Sequence, residues 1–546
     1  MTLQSQGVPG CASAGSRAAR GRNFTPFVLL AFALAASIPC AQTGPVLSEH
    51  KISDPAGVVL DSGDLFGEAQ APLGDLDGDG IGDLAVGAVQ DDDGGMNRGA
   101  VWILFLGADG SVQCHQKISA TTGGFGGSLD NNDLFGSAVA PLGDLDGDGI
   151  VDLAVGARSD DDGGTNQGAV WILFLNGDGT VKSEQKISET AGGFGGSLDA
   201  LDEFGHSVAA SGDLDGDGIV DLAVGARLDD DGGSALGAVW ILFLDADGTV
   251  KSEQKISALA GGFGGDLDLN DELGFSLCAL GDLDGDGIGD LATSARQDDD
   301  GDFDQGAVWI LFLDSDGTVK AEQKISATSG GFGGDLDDTD NFGSSLYSPG
   351  DLDGDGTVDL AAGAAGDDDG GTNQGALWLL FLEVGGTVKT ERKISATSGG
   401  FGGDLDIGDS FGASVCTPGD LDGDGTIDLA AGANGDDDGG SNQGALWILF
   451  LERPDTTPPA ISCPSALTVW AGKESPHGAV VSFMVTATDD TDPAPAIACA
   501  PPSGSFFPWG TTLVTCSATD ASGNTAQCAF PVTVQASVRR FTGTIR

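Results

Sequence analysis

The stretch "GDLDGDGIGDLAVGA", Gly74 to Ala88, decides how the chain folds, because its pattern occurs six times. Three aspartates stand at alternate positions, a glycine follows the third, and a fourth aspartate precedes an apolar run. Each copy begins 69 residues after the previous one, and the first aspartates are Asp75, Asp144, Asp213, Asp282, Asp351 and Asp420. A fixed period of this length predicts repeated copies of one structural unit.

Composition limits the classes of protein that the sequence fits. The chain has 546 residues, with 84 acidic against 23 basic side chains and a formal net charge of −61. Such a charge repels nucleic acid and anionic membrane surfaces. The 92 glycines recur at fixed positions, which indicates repeated turns rather than a disordered low-complexity chain. We therefore expect a large acidic repeat protein that does not bind nucleic acid.

Residues 1–41 have the pattern of a signal peptide. Three arginines precede the apolar run "FVLLAFALAASI", Phe27 to Ile38, which is too short to span a bilayer. Cleavage is predicted near Ala41, and a lipoprotein signal at Cys40 is the alternative. No later segment is long and apolar enough to span a membrane. The sequence thus predicts a secreted, extracellular or cell-surface protein without a transmembrane segment after signal removal.

Each repeat reads as four short strands. In the second copy these are "GSAVAPLG", "DLAVGA", "GAVWILFL" and "TVKSEQKIS". Repeated four-stranded antiparallel units predict an all-β fold, a β-propeller of six blades over residues 46–453. The last copy ends after its third strand, Ala445 to Leu451, and a fourth-type strand, Val46 to Ser53, precedes the first copy. We expect this strand to complete the last blade; a ring with a less regular seventh element is the alternative.

After the proline-rich stretch "RPDTTPPAISCP", residues 455–536 alternate as strands do and predict a small β-sandwich. Its four cysteines allow two disulfides in three pairings, which the sequence leaves open. Two further cysteines lie two copies apart at one strand position and are expected to be small buried thiols, and Cys114 is expected to be unpaired. The sandwich cysteines are Cys463, Cys499, Cys516 and Cys528, and the two thiols are Cys278 and Cys416.

The acidic motif has the donors of a calcium site. Carboxylates at loop positions 1, 3 and 5, a backbone carbonyl at position 7 and a carboxylate at position 9 supply oxygen ligands, which favour calcium over zinc or copper. An EF-hand needs an acid at position 12, and none stands there in any copy. We predict about six ions, each held by a loop between two strands. The predicted ligands are Asp75, Asp77, Asp79, Ile81, Asp83, Asp144, Asp146, Asp148, Ile150, Asp152, Asp213, Asp215, Asp217, Ile219, Asp221, Asp282, Asp284, Asp286, Ile288, Asp290, Asp351, Asp353, Asp355, Thr357, Asp359, Asp420, Asp422, Asp424, Thr426 and Asp428.

Two families resemble parts of this sequence. "LFGSAVAPLGDLDGDGIVDLAVGA", Leu134 to Ala157, resembles the FG-GAP repeat of integrin alpha-chain propellers and of many exported bacterial proteins. That resemblance implies a propeller with calcium in the loop joining the first and second strands. The fourth copy has "ELGF" and "TSA" in place of "FG" and "VGA", which puts its packing in doubt. "ISCP", "PPSGSFFPWGTTLVTC" and "ATDASGNTAQCAF" resemble a hyalin repeat (HYR) module, which implies an immunoglobulin-like domain associated with extracellular adhesion; residues 537–546 form a tail.

Two further loop sets are expected at the ends of the strands opposite the calcium loops. One is "DDDGG" and the other is "GGFGG", with phenylalanines at 125, 194, 263, 332 and 401. These loops form either a surface for a partner or for further cations, or a solvated edge whose phenylalanines tuck between blades. The repeated tryptophans, one in each third strand, are either core residues or a sugar-binding platform.

The sequence offers no catalytic constellation. Its four histidines, His50, His115, His206 and His477, do not recur together. We therefore predict a non-enzymatic, calcium-binding adhesion or interaction protein whose partner is an unknown extracellular protein or glycan. The alternatives are a lectin-like propeller, a carbohydrate-associated enzyme domain and a surface-layer component.

Overall fold

The computed structural model describes residues 45–53, 60–452, 457–471, 477–489, 492–520 and 524–536. Every regular element in these ranges is a β-strand, and no helix there is long and apolar enough to cross a membrane. The predicted signal peptide and the tail lie outside the described residues. The chain divides into two compact units between Glu452 and Arg453.

The strands of the first unit are short and follow one another at regular intervals. In chain order they are β1 (Val46–Ile52), β2 (Phe66–Gly74), β3 (Asp83–Ala88), β4 (Ala100–Leu106), β5 (Val112–Ser119), β6 (Phe135–Gly143), β7 (Asp152–Ala157), β8 (Ala169–Leu175), β9 (Val181–Ile187), β10 (Phe204–Gly212), β11 (Asp221–Ala226), β12 (Ala238–Leu244), β13 (Val250–Ser257), β14 (Leu273–Gly281), β15 (Asp290–Ala295), β16 (Ala307–Leu313), β17 (Val319–Ile325), β18 (Phe342–Gly350), β19 (Asp359–Ala364), β20 (Ala376–Leu382), β21 (Val388–Ser395), β22 (Phe411–Gly419), β23 (Asp428–Ala433) and β24 (Ala445–Leu451).

These strands form six four-stranded antiparallel sheets in the described part of the unit. Five sheets each take four consecutive strands, beginning with β2, β6, β10, β14 and β18. The sixth has the order β1-β24-β23-β22, so the N-terminal strand supplies the fourth strand of the last sheet. The first strands of neighbouring sheets contact one another in a closed cycle, because β22 contacts both β18 and β2. The predicted β-propeller architecture is therefore confirmed.

Aromatic side chains pack between neighbouring sheets. The six repeated tryptophans are only 5–6% exposed, so they are core residues and form no sugar-binding platform. The ring of Phe194, in the loop after the second sheet, meets Trp240 of the third sheet edge-on at 5.1 Å between centroids. The same contact joins the phenylalanines at 125, 263, 332 and 401 to the tryptophan of the following sheet. The alternative in which these phenylalanines tuck between blades is thus correct.

The glycine after the first residue of each first strand marks a close approach of two sheets. Gly205 has φ +86°, and a Cβ there would lie 2.4 Å from the carbonyl oxygen of Ala169 in the preceding sheet. The fourth copy keeps this glycine as Gly274 and has Leu273 where the others have phenylalanine. Leu273 is fully buried at the start of β14, so this sheet accommodates the sequence change.

The second unit is also built of strands. They are β25 (Ala460–Ser462), β26 (Leu467–Ala471), β27 (Gly478–Val481), β28 (Thr486–Thr488), β29 (Ala496–Ala500), β30 (Ser505–Pro508), β31 (Gly510–Thr519) and β32 (Thr525–Ala536). Four of them form the sheet β26-β32-β31-β29, and two pairs form small sheets. The buried side chains of Phe507, Val514 and Phe530 form part of its core.

The cysteines follow the predictions with one exception. Disulfides join Cys463 to Cys528 and Cys499 to Cys516, which selects one of the three pairings that the sequence left open. Cys278 and Cys416 are buried free thiols, as expected. Cys114 is disulfide-bonded, so the expectation that it is unpaired was wrong.

Candidate functional site

The acidic loops connect the first and second strands of each sheet, as predicted. In the first copy, β2 ends at Gly74 and β3 begins at Asp83, the ninth loop position. Gly78 and Gly80 have φ of +84° and +94°, a backbone region that glycine enters without steric cost. The spacing of aspartate and glycine therefore folds the segment into a tight loop.

Backbone N–H groups orient the carboxylates at positions 1 and 5. Asp75 accepts hydrogen bonds from the N–H groups of Gly78 at 2.7 Å and Gly80 at 2.9 Å. Asp79 accepts one from the N–H of Ile81 at 2.8 Å. Short polar side chains commonly bond to backbone groups two to five residues away in such turns. These bonds order the loop around its own acidic side chains.

The aspartate at position 9 ties the loop to the third strand. Asp83 is 1% exposed and accepts the N–H groups of Leu76 at 2.9 Å and Leu106 at 3.1 Å. Burial raises the pKa of Asp83 to about 6 against the effect of these bonds, and the charges of Asp77 and Asp79 raise it further. A cation beside Asp83 would favour its ionised form. The equivalent aspartates in the other five copies make the same two bonds.

Carboxylate oxygens converge in the loops. In four copies the aspartates at positions 1, 3 and 9 each offer an oxygen within 4.8 Å of the others, and in the fifth those at positions 1, 3 and 5 do so. The groups are Asp75, Asp77 and Asp83; Asp144, Asp146 and Asp152; Asp213, Asp215 and Asp221; Asp282, Asp284 and Asp290; and Asp351, Asp353 and Asp355. This donor set fits a hard divalent cation such as calcium. Ligation by these aspartates and by the position-7 carbonyls remains a prediction.

A lysine contacts the carboxylates at positions 3 and 5 in four of the loops. Lys251 lies 2.9 Å from Asp215 and also contacts Asp217. Lys182, Lys320 and Lys389 make the equivalent pairs. In the first and last sheets the corresponding residues are Gln113 and Leu47. The six loops therefore fall into two electrostatic classes.

The "DDDGG" segments lie at the opposite ends of the strands and hold a buried ion pair. Lys255 contacts Asp229 and Asp231 at 2.5 Å each and lies 5.3 Å from the ring centre of Trp240. Strand pairing explains this arrangement, because Trp240 and Lys255 are opposite one another in β12 and β13. Each sheet repeats the cluster with its own "KIS" lysine. The first aspartate of each segment is 1–3% exposed, so the expectation of merely solvated aspartates was wrong for it.

A second buried aspartate accompanies each ion pair. Asp202 is 3% exposed and accepts the N–H of Asp199 at 2.8 Å. Burial raises the pKa of Asp202 to about 7, and the charge of Asp229 adds to the shift. The equivalent carboxyls have raised pKa values of about 6 or about 7. These ends of the strands therefore hold carboxyls that titrate near neutral pH.

A group of charged side chains that the sequence did not predict lies at these same ends. Arg158, Arg227 and Arg296 directly follow the second strands β7, β11 and β15. Arg158 and Arg296 line a cavity of about 270 Å³ to which all six first strands contribute residues. The other copies have Val89, Ala365 and Asn434 at this position. The sequence does mark these arginines, because they stand at a repeat position where the residue type differs between copies while the flanking positions stay nearly the same.

Comparison with known families identifies both units. The FG-GAP repeat model matches residues 135–173, 204–242, 273–311, 342–380 and 411–449, and the HYR domain model matches residues 454–534. The first copy has the same four strands in the structure.

Curated relatives match the repeat region. Integrin alpha-4 of Xenopus laevis is 33% identical over 174 residues, which are 31% of this chain and 15% of that protein. Integrin alpha-PS5 of Drosophila melanogaster is 37% identical over 169 residues, which are 30% of this chain and 15% of that protein. The match thus spans about a seventh of each relative.

A solved structure, BBS1N in complex with ARL6DN, aligns with 76% of this chain and 98% of its own at 13% identity and a TM-score of 0.37. The first unit consists of repeats that match the FG-GAP model, and the second unit matches the HYR domain model. The chain is an FG-GAP repeat protein with a C-terminal HYR domain, and its repeats are related to those of integrin alpha chains.

Proposed function

We propose that this chain is a secreted or cell-surface, calcium-binding, non-enzymatic protein that adheres to an extracellular protein or glycan. The observation that carries the proposal is the convergence of three carboxylates in the repeated loops. The match to integrin alpha repeats and to a HYR domain supports an interaction role.

In this proposal calcium is structural and performs no chemistry. When bound, the ion supplies positive charge among carboxylates that otherwise repel one another. The aspartates at loop positions 1 and 3 would hold the ion from the loop, and the aspartate at position 9 would couple the bound ion to the sheet. Asp221 can do so because it also accepts the N–H of Leu244 at the end of β12 at 3.1 Å. Binding would therefore tie the first, second and third strands of a sheet together.

Thermal unfolding with and without calcium tests this proposal. Binding to the folded state alone stabilises it by mass action, and several sites add their contributions. At a hundredfold excess over Kd, each site contributes about 2.7 kcal/mol. We expect the Tm in millimolar calcium to exceed the Tm in chelator by many degrees. Sodium chloride at the same ionic strength is the control, because charge screening alone would raise the Tm in both solutions. Superimposable curves would contradict the calcium role.

Adhesion needs a separate test. Beads coated with the calcium-loaded chain should retain extracellular proteins or glycans from the protein's own environment. The matched control is the chain with asparagine in place of Asp221 and Asp290, which would weaken two loops and leave the rest of the surface unchanged. Equal retention by both forms would separate adhesion from calcium, and no retention by either would contradict the adhesion role.

A further inference from the structure

The cavity enclosed by the six first strands is chemically asymmetric. The third position of the first strand is Glu68 in β2, His206 in β10 and Phe275 in β14. The same position is Ser137 in β6, Ser344 in β18 and Ala413 in β22. Small residues therefore occupy two neighbouring strands, β18 and β22, and β18 lies next to β14 with its Phe275, which leaves space beside that ring.

Most charges around the cavity are closely paired. Arg158 contacts Glu68 at 3.1 Å. Arg227 does not line the cavity itself, and it contacts Glu203 at 2.8 Å and Glu272 at 3.0 Å. Burial acts to lower the pKa of Arg227, but these two glutamates raise it overall. Their charges are thus compensated within the protein.

Arg296 is the exception in this group. Among the described residues it forms one ion pair, with Glu272 at 3.6 Å, an acid that lies closer to Arg227. Its Nε is buried and has no hydrogen-bond partner among the described residues. Its guanidinium stacks on Phe275 at 4.2 Å from the ring centre, and burial lowers the pKa of Arg296. The side chain is held in place while its hydrogen-bonding capacity is largely unused.

His206 does not supply further positive charge to the cavity. Burial lowers its pKa to about 3, although Glu203 acts in the opposite direction. The charged groups that line the cavity are therefore Glu68, Arg158 and Arg296, and Glu272, the partner of Arg296, lies outside the lining. In a chain of net charge −61 the overall field repels anions, so only a specific contact such as that of an arginine would retain one.

We propose that this cavity binds a small molecule through one carboxylate group, which Arg296 holds with its forked N–H donors. A planar carboxylate matches the guanidinium in shape and in charge. A cavity of about 270 Å³ admits a ligand of modest size. The remainder of the ligand would lie toward Ser344, on the side with small residues. This site is separate from the calcium loops, and the proposal does not depend on them.

Titration calorimetry with the full chain in calcium buffer tests the proposal, with acetate, glucuronate and uncharged glucose as probes. We expect the two carboxylates to bind in competition and glucose not to bind. Tighter binding of glucuronate than of acetate would identify acidic sugars as the ligand class, and equal binding would indicate free small acids. If neither carboxylate binds at millimolar concentration, the proposal is wrong.

Variants locate the binding at Arg296. Arg296→Ala should weaken carboxylate binding by about tenfold or more, and Arg296→Lys by a smaller factor, since lysine keeps the charge but loses the fork. Arg98→Ala is the matched control because Arg98 bonds to Asn131 in a loop outside the cavity, and it should bind normally. Calorimetry is interpreted at a temperature where each variant is folded. Unchanged binding by a folded Arg296→Ala variant would overturn the assignment.

Discussion

Two sets of positions in the propeller unit differ in how they vary from copy to copy. The loop aspartates and the lysine, aspartate and tryptophan of each ion-pair cluster are the same in all six sheets. The third position of the first strand changes every time that a new sheet begins, and its residues are Glu68, Ser137, His206, Phe275, Ser344 and Ala413.

The difference distinguishes residues that hold the sheets together from residues that line one asymmetric cavity. A contact between neighbouring sheets must be made in every sheet, so the same residues serve each time. The first strands surround one common cavity, and six identical residues there would give it six-fold symmetry. We therefore place the recognition of a single ligand at this variable position of the first strands.

Truncation of an inter-sheet aromatic should have the largest effect. Phe194 is 7% exposed and packs on Trp240. Phe194→Ala should lower the free energy of unfolding by about 3–5 kcal/mol, as measured by denaturant unfolding in calcium. Phe303 is 60% exposed, and Phe303→Ala should change it by less than about 0.5 kcal/mol. Equal effects of the two variants would remove the distinction between repeated core positions and surface positions.

A loop aspartate at position 9 should come next. Asp221→Ala leaves the buried N–H groups of Leu214 and Leu244 without their acceptor, which costs about 1–3 kcal/mol for each unsatisfied group. The gain in Tm on adding calcium should also shrink, because one site is lost. Asp230→Ala changes the charge equally at an exposed position and should leave both quantities nearly unchanged. An unaltered calcium shift in Asp221→Ala would argue against a ligand at position 9.

The buried carboxyls beside the ion pairs should make stability depend on pH. Folded Asp202 keeps its proton up to about pH 7, whereas the unfolded chain releases it near its ordinary pKa of about 3.9. The folded state thus binds more protons in this window, and the free energy of unfolding falls as the pH rises through it.

We expect Asp202→Asn to flatten this dependence by about 1–2 kcal/mol between pH 5 and pH 8, measured by urea unfolding in saturating calcium. The control is Asp199→Asn, since Asp199 is exposed. A steeper dependence in Asp202→Asn than in the unchanged chain would contradict the sign.

The smallest effect concerns the two classes of calcium loop. Lys251 places an ammonium on Asp215 and Asp217, which competes electrostatically with a bound cation. Lys251→Gln should therefore raise the calcium affinity of that loop by a few fold, and Gln113→Lys should lower that of the first loop by a similar factor. Calcium calorimetry measures both changes. Absent changes would mean that the lysines are not coupled to the metal, and opposite changes would contradict the proposed competition.

Local sequence patterns were sufficient for much of the fold. The aspartate and glycine spacing predicted the loop around Gly80, and the unbroken apolar run predicted the fully buried strand β12. The surplus strand β1 and the missing last strand predicted the pairing of β1 with β24. Each of these features depends on neighbouring residues or on the order of repeats, which the sequence displays directly.

The remaining features depend on residues that are distant in sequence. Lys255 and Asp229 are brought together by strand pairing and by the path of a loop, so their ion pair has no short motif. Arg227 and Glu272 belong to successive repeats and meet only because neighbouring sheets pack side by side.

The sequence by itself determined the repeated unit, the strand order and the acidic loops, because a 69-residue period constrains every copy through short-range chemistry. Only the tertiary structure decided which aspartates are buried and how well each arginine is compensated. Those properties depend on burial and on distances between charges from different sheets, and both are set when the sheets pack around one common cavity.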